Sequence, residues 1–192
     1  GVVLGNEVLD AMPVKLLARV GGEWHERGVI LEANQAAAPA PQAPAAIESE
    51  ARAFVWQDRP TALRPPVEID GNGDYVTEVH PAALLQRGGA GAAYFIDYGF
   101  PEAEYYHPQR TTGTLVCHRA HRMDDAPLAD VGEKDITAHV NFTGVALAGQ
   151  DAGLDLLGYT SQGRFLLNCG IAALMEASDL PTRATAMKLV AE

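Results

Sequence analysis

Cysteine and positive charge are scarce in this chain of 192 residues. Only Cys117 and Cys169 occur, which excludes a disulfide framework and makes a reducing compartment the default. Lys and Arg number 14 against 25 Asp and Glu, a formal net charge of -11. Such a surface repels phosphate backbones and anionic lipids, so nucleic acid and membrane are excluded as partners and a cationic partner fits better. No apolar run reaches the length of a membrane span, and no basic segment followed by a hydrophobic one opens the chain. These absences point to a cytoplasmic protein. Glycine is plentiful but never in a nucleotide-loop pattern: "GNEVLD" and "GAGAA" lack both the Gly-x-x-x-x-Gly-Lys spacing and a strand-Gly-x-Gly-x-x-Gly-helix context.

What is present is ordinary globular material, 47% hydrophobic and 20% charged, enough for one domain with a core. Val2 to Leu4 form a β-branched apolar run that stops at Asn6 and Glu7, the pattern of a buried parallel strand ending in polar groups. Val14 to Val20 and Trp24 to Leu31 flank Gly21-Gly22 and read as a β-hairpin. The Pro/Ala-rich stretch from Ala36 to Ala46 reads as an exposed extended loop. Ala53 to Gln57 and Tyr75 to Val79 are further antiparallel strands, with a turn at Asp70 to Asp74, and together these segments form a small β-rich insertion.

Ala92 to Ile96 is the second buried-strand signal, ending in Asp97-Tyr98-Gly99. A helix is predicted over Thr143 to Ala152, capped by Asn141 or Thr143 and stopped at Gly153. Leu154 to Thr160 reads as a strand, Arg164 to Ala177 as a helix, and "SDLP" resets the chain into a last helix. Apolar strands interleaved with helices predict an α/β fold with a mostly parallel sheet, whose ligands bind beyond the carboxyl ends of the strands. If the two apolar strands are neighbours, Asn6-Glu7 and Asp97-Tyr98-Gly99 share one rim.

Glu7, Asp10 and Asp97 then supply carboxylates able to grip a guanidinium bidentately, and Tyr98, Tyr105 and Tyr106 supply ring faces for the same cation. The competing reading is that each acid merely serves a strand-end turn. "CHRAHR" brings Cys117, His118 and His121 close in sequence, with His107 and His139 nearby. The spacing is no standard zinc signature, so no metal is assigned, and a metal-dependent hydrolase stands only as a third reading. Cys117 and His118, adjacent on a strand, point to opposite faces, which disfavours a thiolate-imidazole pair.

Four stretches, "NEVLDAMPV" (6–14), "FIDYGFPEAEYYHPQRTTGTLVCHRAHR" (95–122), "DITAHVNF" (135–142) and "TSQGRFLLNCGI" (160–171), resemble the MidA-like S-adenosylmethionine-dependent methyltransferases. The mitochondrial member of that family assists assembly of respiratory complex I by symmetrically dimethylating an arginine of one of its subunits. The resemblance implies a Rossmann-like class I methyltransferase sheet with an inserted antiparallel region at 14–80, S-adenosyl-L-methionine as cofactor and a protein arginine as substrate. It implies localisation in the cytoplasm, or in the mitochondrial matrix if the source is eukaryotic.

Glu7 and Asp10 match the family's Glu-x-x-Asp-x-x-Pro, and Asp97, Tyr98 and Gly99 its Asp-Tyr-Gly. By the resemblance Glu7, Asp10, Asp97 and Tyr98 are catalytic. Asn6, Tyr105, Tyr106, His107, Arg110, His118, Asp135 and Thr137 bind substrate, and Asn6 and Glu7 also touch the cofactor. Methyl transfer from a sulfonium needs nucleophile, methyl carbon and sulfur held in line without water. Glu7, supported by Asp10 or Asp97, would hold the guanidinium while Tyr98 and the rings at 105–107 close the pocket.

The chain also departs from the family. The cofactor's glycine-rich loop and ribose-binding acid are expected before residue 1, the segment between Pro81 and Phe95 is short, a final strand is expected after Glu192, and Asn141 stands where Asp is usual. These features predict one catalytic domain over 1–192, the C-terminal part of a longer enzyme, that alone binds the cofactor weakly. A sheet short of its first strands exposes an edge and favours pairing of two copies. A non-catalytic assembly protein of the same fold is the alternative.

Overall fold

The computed structural model describes residues 1–33, 52–69, 71, 73–79, 91–120 and 122–191. The Pro/Ala-rich stretch, residues 81–90, Asp70 of the expected turn and His121 lie outside the described residues. Two compact units are present, Gly1–Ala148 and Gly149–Glu192.

In the first unit β1 (Val2–Asn6) precedes β2 (Lys15–Val20), β3 (Glu23–Ala33), β4 (Arg52–Pro60) and β5 (Tyr75–Val79). The last four build one antiparallel sheet in the order β4-β3-β2-β5, with β2 and β3 joined at Gly21-Gly22. Leu17 and Ala18 of β2 and Tyr75 and Thr77 of β5 are buried, and since neighbours along a strand face opposite ways, β2 is covered on both faces there. Arg19 is buried with them: its guanidinium lies 5.7 Å from the Trp24 ring and 5.8 Å from the Tyr75 ring and donates to the carbonyls of Ile69 (2.7 Å) and Gly73 (3.2 Å). Its Nε and Nη1 are both answered by carbonyls, as burying a charge requires.

β6 (Ala92–Ile96) pairs in parallel with β1 from Val2↔Ala92 to Asn6↔Ile96, so the two apolar runs are neighbours. The expectation that they are buried is not met. Val2, Val3 and Leu4 are 59–74% exposed, because among the described residues each strand has only the other as neighbour, and a two-strand ladder has no second layer to cover its faces.

β7 (Gly99–Phe100), α1 (Glu102–Tyr105), β8 (Val116–Arg119), β9 (Arg122–Asp124), β10 (Asp135–Thr137) and β11 (Val140–Asn141) follow. β10, β8 and β9 form an antiparallel meander, and β11 runs parallel to β7. The approach of β11 to β7 is close enough that a Cβ at Gly99 would strike the Val140 carbonyl. α2 (Phe142–Asp151) starts where Asn141 caps it, the side-chain oxygen accepting from Gly144 N (3.1 Å). Thr143 Oγ1 in turn accepts from Glu102 N (3.0 Å), fixing the start of α1.

The second unit holds α3 (Gln162–Asn168), α4 (Ile171–Glu176) and α5 (Leu180–Ala191). Ser161 caps α3 and Asp179 caps α5. The single helix expected over Arg164 to Ala177 is two, broken at Gly170 with φ 89°. The strand expected at Leu154 to Thr160 is absent: the segment has no regular structure, and its leucines find no partner strand among the described residues. The first unit is thus mixed α/β, and the second is helical among its described residues.

Candidate active site

Parallel pairing puts the carboxyl ends of β1 and β6 at one edge, so the polar residues that follow each strand emerge side by side, as the strand-end pattern predicts. Glu7 N still donates to Ile96 O (2.9 Å), extending the ladder by one step. The chain then turns through Glu7 at φ 49°, a left-handed conformation that costs a residue with a Cβ roughly 1–2 kcal/mol.

Asp97 offsets that cost. Its Oδ2 accepts from three consecutive amides, Val8 N (3.1 Å), Leu9 N (2.8 Å) and Asp10 N (3.4 Å), while Oδ1 accepts from Tyr98 N (2.9 Å). Both oxygens of Asp97 therefore face backbone, and the side chain acts as the mould of the 7–10 turn. Leu9, buried beneath it, pins the turn to the core. Asp10 O accepts from Ala138 N (2.9 Å), so the residues after β10 are tied to the same rim.

Burial first and then the Asp97 charge push the Asp10 carboxyl above the usual carboxylate range, with Glu7 and Asp135 pushing the same way. Four acids thus share one field. Among the described residues none of them forms an ion pair. His118 sits opposite Asp135 in the β8–β10 register, with Thr137 two residues on along the same face, so this part of the predicted set is assembled. Asn6 and Tyr98 lie at the rim and are exposed.

The ring cluster is placed elsewhere. Tyr105 and Tyr106 are buried and meet edge to face, with centroids 4.8 Å apart. Their hydroxyls donate to Glu78, Tyr105 to Oε2 and Tyr106 to the backbone oxygen, both at 3.4 Å. Burial pushes the Tyr105 hydroxyl far above its ordinary value and that of Tyr106 up to about 12. These rings form core. His107 is exposed, and its Nδ1 accepts from Gln109 N (3.2 Å).

Glu78 itself escapes sequence reasoning. Fully buried in β5, its Oε1 accepts from Thr114 N and Leu115 N (both 2.8 Å) and its Oε2 from Thr114 Oγ1 (3.1 Å). Thr114 Oγ1 accepts in turn from His139 N (3.0 Å), so a buried carboxylate fixes the loop that carries the rim. The available signal was a lone charge inside the strand-like "YVTEV". Arg110 stacks its guanidinium 4.4 Å from the Phe100 centroid, and Phe100 lies parallel to His139 at 5.1 Å. Burial lowers the pKa of His139.

No trio of His, Cys, Asp or Glu with metal-binding geometry occurs among the described residues. Cys117 is buried and its thiol is pushed up by burial, opposite to what a nucleophile needs. A groove of about 440 Å³ lined by Leu16, Val29, Phe54, Trp56, Leu115 and Ile136 contains none of the predicted site residues.

An acid-rich rim moulded by Asp97 thus lies beyond the carboxyl ends of two parallel strands. Residues 1–160 match the family described as "putative S-adenosyl-L-methionine-dependent methyltransferase", and the chain belongs to that family, whose cofactor is S-adenosylmethionine. The chain is similar to a "likely methyl transferase" from Burkholderia thailandensis solved with bound S-adenosyl-homocysteine, at 45% identity and TM-score 0.75 over 99% of this chain and 48% of that one. A native crystal structure of an uncharacterised protein of the same superfamily from that organism gives 45% identity and TM-score 0.75 over 99% of this chain and 50% of the other. The chain thus spans about half the length of these structures. No curated protein matches it.

Proposed function

We propose that the protein is an S-adenosylmethionine-dependent methyltransferase of the MidA-like group that modifies an arginine side chain of a protein. The observation that carries the arginine assignment is the rim of Glu7, Asp10, Asp97 and Asp135: the other three charges help burial raise the Asp10 pKa, and none of the four forms an ion pair among the described residues. A guanidinium answers that field, and its fork suits two carboxylate oxygens. Glu7 and Asp10 grip it, Asp97 keeps both in position, and Tyr98 lies beside them at the end of β6.

Methyl transfer asks the protein for alignment and for charge held away from the attacking nitrogen. A carboxylate on the far side of the guanidinium localises the positive charge there and leaves electron density on the nitrogen facing the sulfonium. In this reading β1 and β6 belong to a Rossmann-like sheet into which the antiparallel sheet β2–β5 is inserted, and 1–192 belongs to one catalytic domain. The activity is proposed for the whole protein. No glycine-rich nucleotide loop is recognisable within residues 1–192, so this stretch alone should bind the cofactor weakly. Calorimetric titration of S-adenosyl-homocysteine into the complete protein and into residues 1–192 tests this. Saturable binding to the complete protein supports the reading, and no binding to either overturns it in favour of a non-catalytic assembly role.

A further inference from the structure

Arg110 stands apart from the other inward basic residues. Among the described lysines and arginines only Arg19, Arg27, Arg110 and Lys134 are not exposed. Arg19 is held by two carbonyls, Arg27 by both oxygens of Asp58 (2.7 Å each), and Lys134 by Asp124 (2.9 Å) and the Ala126 carbonyl (3.2 Å). Among the described residues Arg110 alone of the four makes no side-chain hydrogen bond or ion pair, and its Nε is shut off from solvent without an acceptor there. In a chain with 25 acids and 14 bases, an inward cation without an anion is a feature to explain.

The guanidinium is nevertheless held in place. It lies over the Phe100 ring, and Phe100 is parallel to His139. Phe100 follows Asp97 by three residues, and β11, which follows His139, pairs with β7. The charges of Arg110 and Asp10 both act on the His139 imidazole, so the cation and the acid-rich rim lie within range of the same ring. A stacked, oriented, unbonded guanidinium is prepared for a planar anion, and a carboxylate matches its paired donors.

We propose that Arg110 is a carboxylate-recognition site, and that the substrate presents an acidic side chain close to the target arginine. The inference rests on the methyltransferase reading for the identity of the target, while the anion site rests on the geometry of Arg110. The rim would take the positive group and Arg110 the negative one, so the pair of charges, with its spacing, selects the substrate.

The test uses ¹⁵N-arginine-labelled protein, with the Arg110 Nε–H resonance assigned by its loss in Arg110→Lys. Two probes are titrated, the blocked dipeptides acetyl-Arg-Glu-amide and acetyl-Arg-Gln-amide, with S-adenosyl-homocysteine as a third. The glutamate peptide is expected to move the Arg110 resonance saturably and to bind about tenfold tighter than the glutamine peptide, the scale of one charge-assisted bond. That preference should vanish in Arg110→Gln. Equal affinities for the two peptides, no saturable shift with either, or a shift with S-adenosyl-homocysteine alone would each overturn the proposal. Because the guanidinium makes no hydrogen bond or ion pair among the described residues, Arg110→Gln should melt within about 4 °C of the parent, which separates recognition from a structural role. Cofactor binding by the complete protein reports on the methyltransferase reading alone.

Discussion

Asp97 and Leu9 are 88 residues apart in sequence and joined by a 2.8 Å hydrogen bond, the shortest of three that one carboxylate oxygen accepts from successive amides. The bond closes the rim: the residue that ends one strand moulds the turn that follows its parallel neighbour. Replacing Asp97 with Ala leaves four amide donors without their acceptor and frees Glu7 from its left-handed conformation. We expect a loss of about 2–3 kcal/mol, reduced by the access of water to part of the turn, read as a lower urea midpoint with unchanged slope. Asp97→Asn, which keeps one acceptor oxygen, should lose less.

The rim was legible in the sequence because its signals are local. Two apolar runs, Val2–Leu4 and Ala92–Ile96, each stop at a polar cluster, and parallel pairing then follows from the α/β pattern. What Asp97 does was not legible, since an acid at a strand end reads equally as ligand or as turn former until its acceptors are seen facing Val8, Leu9 and Asp10. The tyrosines misled for a related reason. Three rings in a row resemble a pocket wall, but α1 turns Tyr105 and Tyr106 inward onto Glu78, whose burial depends on partners at 105–106 and 114–115 that no local pattern relates to it. The meander of β8, β9 and β10 was hidden because its strands are short and charged and draw their order from cross-strand partners.

Glu78→Ala should be among the most destabilising single changes, about 3–5 kcal/mol, because it strands Thr114 N and Leu115 N in the core. Denaturant titration measures it. A loss below 1 kcal/mol would contradict the anchoring role given to this carboxylate.

Gly113 lies at φ 75° against the Glu78 carboxylate, where an added Cβ collides with that group. Gly113→Ala combines backbone strain with displacement of the anchor, and should cost at least about 2 kcal/mol by thermal melting. A neutral result would mean that the 113–115 loop adapts freely.

The raised pKa of Asp10 has a definite consequence for pH. In the folded protein this carboxyl holds its proton more tightly than in the unfolded chain, so its contribution is most favourable at low pH and is lost as pH rises from the ordinary carboxylate value through the elevated one. Asp10→Asn should therefore raise the melting temperature at neutral pH and flatten the pH dependence across that window. A guanidinium ligand demands the ionised form, so its affinity should increase over the same rise in pH.

Methyl transfer tests the account most directly: the complete protein, labelled S-adenosylmethionine and an arginine-containing protein acceptor, with product identified as methylarginine. The account predicts transfer by the parent and a loss of about hundredfold or more in Glu7→Gln, the scale of removing one charge-stabilising contact in an active site. Undiminished transfer by Glu7→Gln, or transfer to a residue other than arginine, would contradict it.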